Sequence, residues 1–145
     1  MSLSAWLSYG WLTEHEPSVA EIQDLLALIE RDLADSGVPH LSPDWRLNIA
    51  YNAALQAATA ALAAAGYRAS REAHHYRAIQ SLAFTIGSSS SVIARLDLFR
   101  KKRNLGGYER AGAVSDQEAA EMRELAQEIA REVRRWLDDN RPDLM

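Results

Sequence analysis

The stretch from Ser42 to Gly66 leaves a chain of this length few ways to fold. Ser42 followed by Pro43 marks a helix start, because proline at the first helical position gives up no hydrogen bond the helix would have made. Alanines then flank a stripe of Leu47, Tyr51, Leu55, Ala58 and Leu62, and Gly66 offers an end near Ala65. Alanine favours helix and lets a neighbouring helix approach closely. Asn52, Gln56 and Thr59 interrupt the low-polarity run from Ile49 to Tyr67, and alanine is too weakly hydrophobic to make that run a membrane span. A tightly packed helix of a soluble bundle is the expected product. Met1 to Leu12 is apolar and aromatic but lacks the basic residues that open a signal peptide, so a cytoplasmic location is expected.

The remaining punctuation is also helical. Ser18 and Glu21 have the spacing of a capping box, and Ile22, Leu25, Leu26, Ile29 and Leu33 then hold one face apolar until Gly37 and Pro39. A third helix is expected from Ser70 to near Gly87, with Tyr76, Ile79, Ala83 and Ile86 on one side. A fourth carries Val92, Leu96 and Phe99 up to Gly106-Gly107, after the serine run 88–91. Ser115 and Glu118 repeat the capping-box spacing before a last helix with Met122, Ile129, Val133 and Trp136 inward. No run with strand period competes. The expectation is an all-α, antiparallel up-and-down bundle of four to five helices in one domain over 18–139. An aromatic segment over 1–17 precedes it and a tail over 140–145 follows. Trp45, Tyr51, Tyr76 and Trp136 fit bundle packing, whereas Trp6, Tyr9 and Trp11 fit either a cover for one end or a partner surface.

Charge is segregated along the chain. The 145 residues hold 16 basic and 20 acidic side chains, a net charge of −4 that argues against a whole surface devoted to nucleic acid. Yet 95–110 holds six basic residues against two acidic, while 1–41 holds one against seven. Cations near a helix C-terminus explain part of this, at ~0.3–1 kcal/mol each, and account for Arg100, Lys101 and Lys102. Arg103 is different. It continues the stripe of positions 92, 96 and 99, so its guanidinium points toward the bundle or a partner, where burial needs acceptors. Asn104 and the turn Gly106-Gly107-Tyr108 beside it have the character of a site edge. The absence of cysteine removes disulfides, thiolate zinc sites and cysteine nucleophiles.

The segment Phe99-Arg-Lys-Lys-Arg-Asn-Leu-Gly-Gly-Tyr108, closing the fourth helix, resembles the HEPN domain superfamily. Upstream, Gly66-Tyr67-Arg68 and His74-His75-Tyr76-Arg77 leading into Ile79 and Leu82 extend the likeness, which covers roughly Asp44 to Leu137. The resemblance implies a helical bundle that often forms a homodimer around the motif helices. HEPN proteins include metal-independent ribonucleases of toxin–antitoxin and defence systems, and non-catalytic partners of nucleotidyltransferases. Catalytic members carry an arginine, a polar residue and then a histidine. Arg103 and Asn104 match the first two positions, but Tyr108 stands where histidine is expected and no histidine follows His75. Imidazole, with a pKa of about 6.5, exchanges protons near neutrality, whereas tyrosine, near about 10, is a poor base. The ribonuclease activity is therefore not carried over.

Two histidines remain as candidates. His75 shares a face with Ile79, Leu82 and Ile86 and reads as a hydrogen-bonded core residue. His74, with Arg71 and Arg77, is a candidate lining of a basic groove continuous with Arg103. His15 and His40 have no ligand-spaced partners, and no metal or cofactor motif is present. The expected function is non-catalytic binding of RNA, a nucleotide or a protein partner through Arg103, Asn104, Tyr108, Arg100, Arg77, Arg71 and His74. A nucleotidyltransferase or a toxin–antitoxin component is the kind of protein partner implied. The alternative is a divergent metal-independent endoribonuclease using Arg103 with His74 or Tyr108. A third possibility is a purely structural module whose acidic first helix docks on a basic surface.

Overall fold

Serine caps set where the helices begin. The computed structural model describes the backbone of residues 1–106 and 114–145, and the side chains of those residues except 104–106. Helix α1 (Leu3–Ser8) is capped by Ser2 and followed by a short strand, β1 (Leu12–Glu14). Helix α2 (Val19–Asp35) starts at Ser18, whose hydroxyl accepts from Glu21 N at 3.1 Å. The carboxylate of Glu21 turns away from its own cap toward His15, at 2.8 Å, so only half of the expected box forms. Helix α3 (Pro43–Ala64) starts at Ser42, and α6 (Asp116–Asn140) at Ser115, where both arms of a capping box close with Glu118. Between them lie β2 (Tyr67–Ala69), α4 (His74–Gln80), a 3₁₀ turn (Ser81–Ala83) and α5 (Ser90–Gly106). A last 3₁₀ turn spans Pro142–Leu144.

The chain is all-α in class, with a minor departure. Among the described residues six α-helices occur where four to five were expected; the short α1 is the addition, and α4 is the expected third helix cut back at both ends. Residues 67–69 form no part of a helix and instead pair antiparallel with β1, Leu12 opposite Ala69 and Glu14 opposite Tyr67. A three-residue ladder is too short to show a period of two, so the sequence pattern carries no trace of it. Gly66, at φ +99°, turns the chain out of α3 in a conformation that side chains resist and gives its carbonyl to His15 N at 2.9 Å. Ser70 does not cap a helix. Its hydroxyl donates to the Gly10 carbonyl at 2.8 Å, tying the N-terminal segment down, and α4 begins only after Ala73, which is left-handed at φ +54°.

The long helices alternate in direction. Asn52 of α3 meets Asp32 of α2, while Gln23 near the other end of α2 reaches the Leu144 carbonyl beyond α6. Arg46 at the start of α3 meets Asp116 at the start of α6, and Arg141 after α6 donates to Ala64 at the end of α3. Thus α3 and α6 run parallel, with α2 and α5 opposed to them. The parallel pair nevertheless packs most extensively, in place of the square arrangement of neighbours in a simple bundle. The alanines explain this, because they bring the α3 backbone close and leave α3 buried on nearly every side. Gly37 allows a second close approach: a Cβ there would stand 2.8 Å from the Arg123 guanidinium, which lies against the end of α2.

The core holds Ile22, Leu26 and Ile29 of α2, Leu96 of α5, and Met122, Ile129, Val133 and Leu137 of α6 around α3. A second cluster of Trp6, Leu12, Leu62 and Ala69 roofs the far end of α3, so Trp6 covers one end of the bundle. Trp45, expected inside, is 63% exposed because it lies in the first turn of α3, outside the core stripe. Tyr76, also expected inside, is exposed. Tyr51 is fully buried and Trp136 is partly buried against the core. Among the described residues no helix is long and apolar enough to cross a membrane.

Candidate functional site

The basic end of α5 faces the first half of α3, with α4 alongside. Arg100 and Lys101 both lie within reach of Asp97, at 2.7 and 3.6 Å, and Lys102 meets Glu118 of α6 at 2.9 Å. These charges are met locally. Arg103 is met differently: its Nε donates to Asn48 Oδ1 at 3.1 Å, and its guanidinium carbon stands 5.2 Å from the centre of the Tyr51 ring. Asn48 is itself fixed, since its amide donates to the Asp44 carbonyl at 2.9 Å. Among the described residues no carboxylate pairs with Arg103. One nitrogen is anchored, the plane is supported by an aromatic face, and the side chain stays half-buried.

Beneath this arginine the chemistry is tuned by burial and charge together. Burial pushes the Tyr51 hydroxyl up to about 12, against the opposing pull of Arg103 and then Arg100. Its oxygen has no hydrogen-bond partner among the described residues. The His75 ring lies 6.3 Å from Tyr51, and its pKa is lowered from 6.5, first by burial, then by Arg103, His74 and Arg100. At neutral pH His75 is therefore an uncharged imidazole beside a guanidinium. It makes no hydrogen bond among the described residues, in contrast to the satisfied core histidine read from its apolar stripe.

The other sequence candidates fall into separate places. His74 lines a small cavity of about 120 Å³ with Leu25, Leu62 and Tyr67, on the side of α3 that faces α2. Arg77 lies over Trp11, its guanidinium carbon 3.6 Å from the ring centre, and Arg71 is exposed with no hydrogen bond or ion pair among the described residues. Arg100 faces Tyr76 at 5.6 Å. The Asn104 side chain and Tyr108 lie outside the described residues. No group of three metal-ligating side chains occurs among the described residues.

Beside Arg103 lie Asn48, which sequence reasoning passed over, and Tyr51 and His75, which it read as core. A usable signal existed for the first: α3 carries two asparagines along a largely apolar helix, and each meets a charged side chain, Asn48 with Arg103 and Asn52 with Asp32. The other two were indistinguishable from core residues, because a partner that turns a buried ring into a site lies far away in sequence. No protein-family model, curated protein or solved structure matches the chain.

Proposed function

We propose that this chain is a HEPN-like, non-catalytic helical protein that binds RNA or a nucleotide through the surface around Arg103. The observation that carries the reading is the state of Arg103, held by Asn48 and Tyr51 but neutralised by no carboxylate among the described residues. A guanidinium positioned in this way keeps its outer nitrogens for a planar, bidentate acceptor, and a phosphate fits that geometry. Arg100 lies one turn back on the same helix and, with Lys101, leaves a net positive charge around Asp97. The setting that goes with the resemblance is a cytoplasmic toxin–antitoxin or defence system, with the chain as a homodimer or as partner to a nucleotidyltransferase. Titration of RNA into wild type and Arg103→Ala tests this. Affinity should fall at least tenfold in the variant, ~1.4 kcal/mol, and the wild-type affinity should weaken steeply with salt. Equal affinity in both proteins removes the reading.

One observation favours a second reading, a metal-independent ribonuclease. His75 is near Arg103 and is held uncharged at neutral pH. An imidazole in that state can accept the 2′-hydroxyl proton as the 2′-oxygen attacks phosphorus, while a guanidinium offsets the charge on the phosphate. The bond from phosphorus to the 5′-oxygen breaks, the 5′-oxygen takes a proton from water, and a 2′,3′-cyclic phosphate and a 5′-hydroxyl result. In this version His75 takes the role considered for His74 or Tyr108. Cleavage in EDTA that is lost in both Arg103→Ala and His75→Ala supports it. Cleavage unchanged in either variant excludes it.

A further inference from the structure

Aromatic rings and guanidinium groups alternate across the surface from the N-terminal segment to α5. The Tyr9 ring centre is 4.9 Å from that of Trp11, and Arg77 lies over Trp11 at 3.6 Å. Arg77 is also 5.5 Å from the centre of Tyr76, whose ring in turn faces Arg100 at 5.6 Å. Arg103 follows one turn further along α5. The contacts therefore run from residue 9 to Arg100, one turn short of the anchored arginine, although they are drawn from α1's end, the approach to β1, α4 and α5. Structural duty alone does not account for them. Tyr9 is 57% and Tyr76 36% exposed, and Arg77 has no carboxylate partner among the described residues.

We infer that this surface is a track for single-stranded RNA, with Tyr9 and Tyr76 stacking on unpaired bases while Arg77, which has no carboxylate partner among the described residues, lies along the phosphates. The inference rests on the phosphate-binding reading of Arg103 and names the form of ligand that reading leaves open. Exposed aromatic faces spaced by cations suit a strand whose bases are splayed out, because every base offers a π face and every linkage a charge. A duplex keeps its bases stacked inside and offers these rings nothing. A mononucleotide occupies one ring and leaves the remainder of the track unused. An acidic peptide satisfies the arginines but not Tyr9 and Tyr76.

The test compares three ligands on the intact protein: an oligouridylate of roughly 12 nucleotides, an RNA duplex of the same length, and an abasic ribose-phosphate strand. Binding is followed by tryptophan fluorescence and by a labelled strand. The single strand should bind at least tenfold more tightly than the other two. Tyr9→Ala and Tyr76→Ala should each weaken it by about five- to tenfold, and Tyr76→Phe, which keeps the ring, should restore it. Equal binding of the abasic strand, or unchanged affinity in both alanine variants, overturns the track. If Arg103→Ala still weakens binding in that case, the Arg103 reading stands without the track. If the wild type binds none of the three ligands, both readings fail.

Discussion

The two asparagines of α3 hold two charges in opposite ways. Asn52 donates to the carboxylate of Asp32 at 2.8 Å, and Arg31 donates twice to the other oxygen at 3.1 Å, in a group only 5% exposed. Asn48 gives Arg103 a single acceptor and leaves the guanidinium half-buried without a carboxylate among the described residues. One turn of helix separates a charge whose two oxygens are both met from a charge with one hydrogen bond among the described residues. The first arrangement stabilises the α2–α3 contact, because a buried ion is tolerated only with its hydrogen bonds made. The second makes a single hydrogen bond among the described residues, and under the proposed function its other nitrogens serve a ligand.

The contrast breaks most visibly at its structural half. Asn52→Ala leaves one oxygen of a buried carboxylate without its donor and should cost ~2–3 kcal/mol in urea unfolding. The corresponding change on the other side, Arg103→Ala, should cost less than ~1 kcal/mol. A larger loss there would make Arg103 a folding residue. Next comes pH. The pKa of His75 in the folded chain lies below its unfolded value near 6.5, so the unfolded chain binds the proton more readily. The stability linked to the neutral ring is intact above that value and falls as pH drops through 6.5 toward the lowered folded pKa. His75→Gln should flatten the pH dependence of the urea midpoint across that window, and an unchanged profile would place the ring in solvent. The smallest effect belongs to Tyr51→Phe. Removing a hydroxyl with no partner among the described residues should shift stability by less than ~1 kcal/mol, in either direction. A greater loss would reveal a partner for that oxygen.

The long helices were legible because their signals are local. Ser18, Ser42 and Ser115 each accept from the third residue along, and the stripes of α2 and α6 turn inward as their spacing requires. What escaped is non-local or very short. The pairing of Leu12–Glu14 with Tyr67–Ala69 joins segments on either side of two helices, and its three-residue strands carry no periodic mark. That pairing also shortened the third helix, because Ser70 spends its hydroxyl on Gly10. Trp45 misled because its place in the first helical turn outweighs its hydrophobicity. At the site, the face of Arg103 followed from helix spacing, but the identity of what it meets did not. Asn48 lies 55 residues from Arg103, with β2, α4 and a 3₁₀ turn between their helices, and His75 was read by its own stripe when its setting comes from α3 and α5.

Under the proposed function Arg103 is held for a phosphate and not for the fold. This is tested most directly by measuring the affinity of wild type and Arg103→Ala for single-stranded RNA across a salt series, with unfolding of both proteins followed in parallel. Arg103→Ala should lose at least tenfold in affinity, show a salt slope shallower by about one, and keep near-equal stability. Equal affinities and slopes, or a loss of binding that tracks a loss of folding, would contradict it.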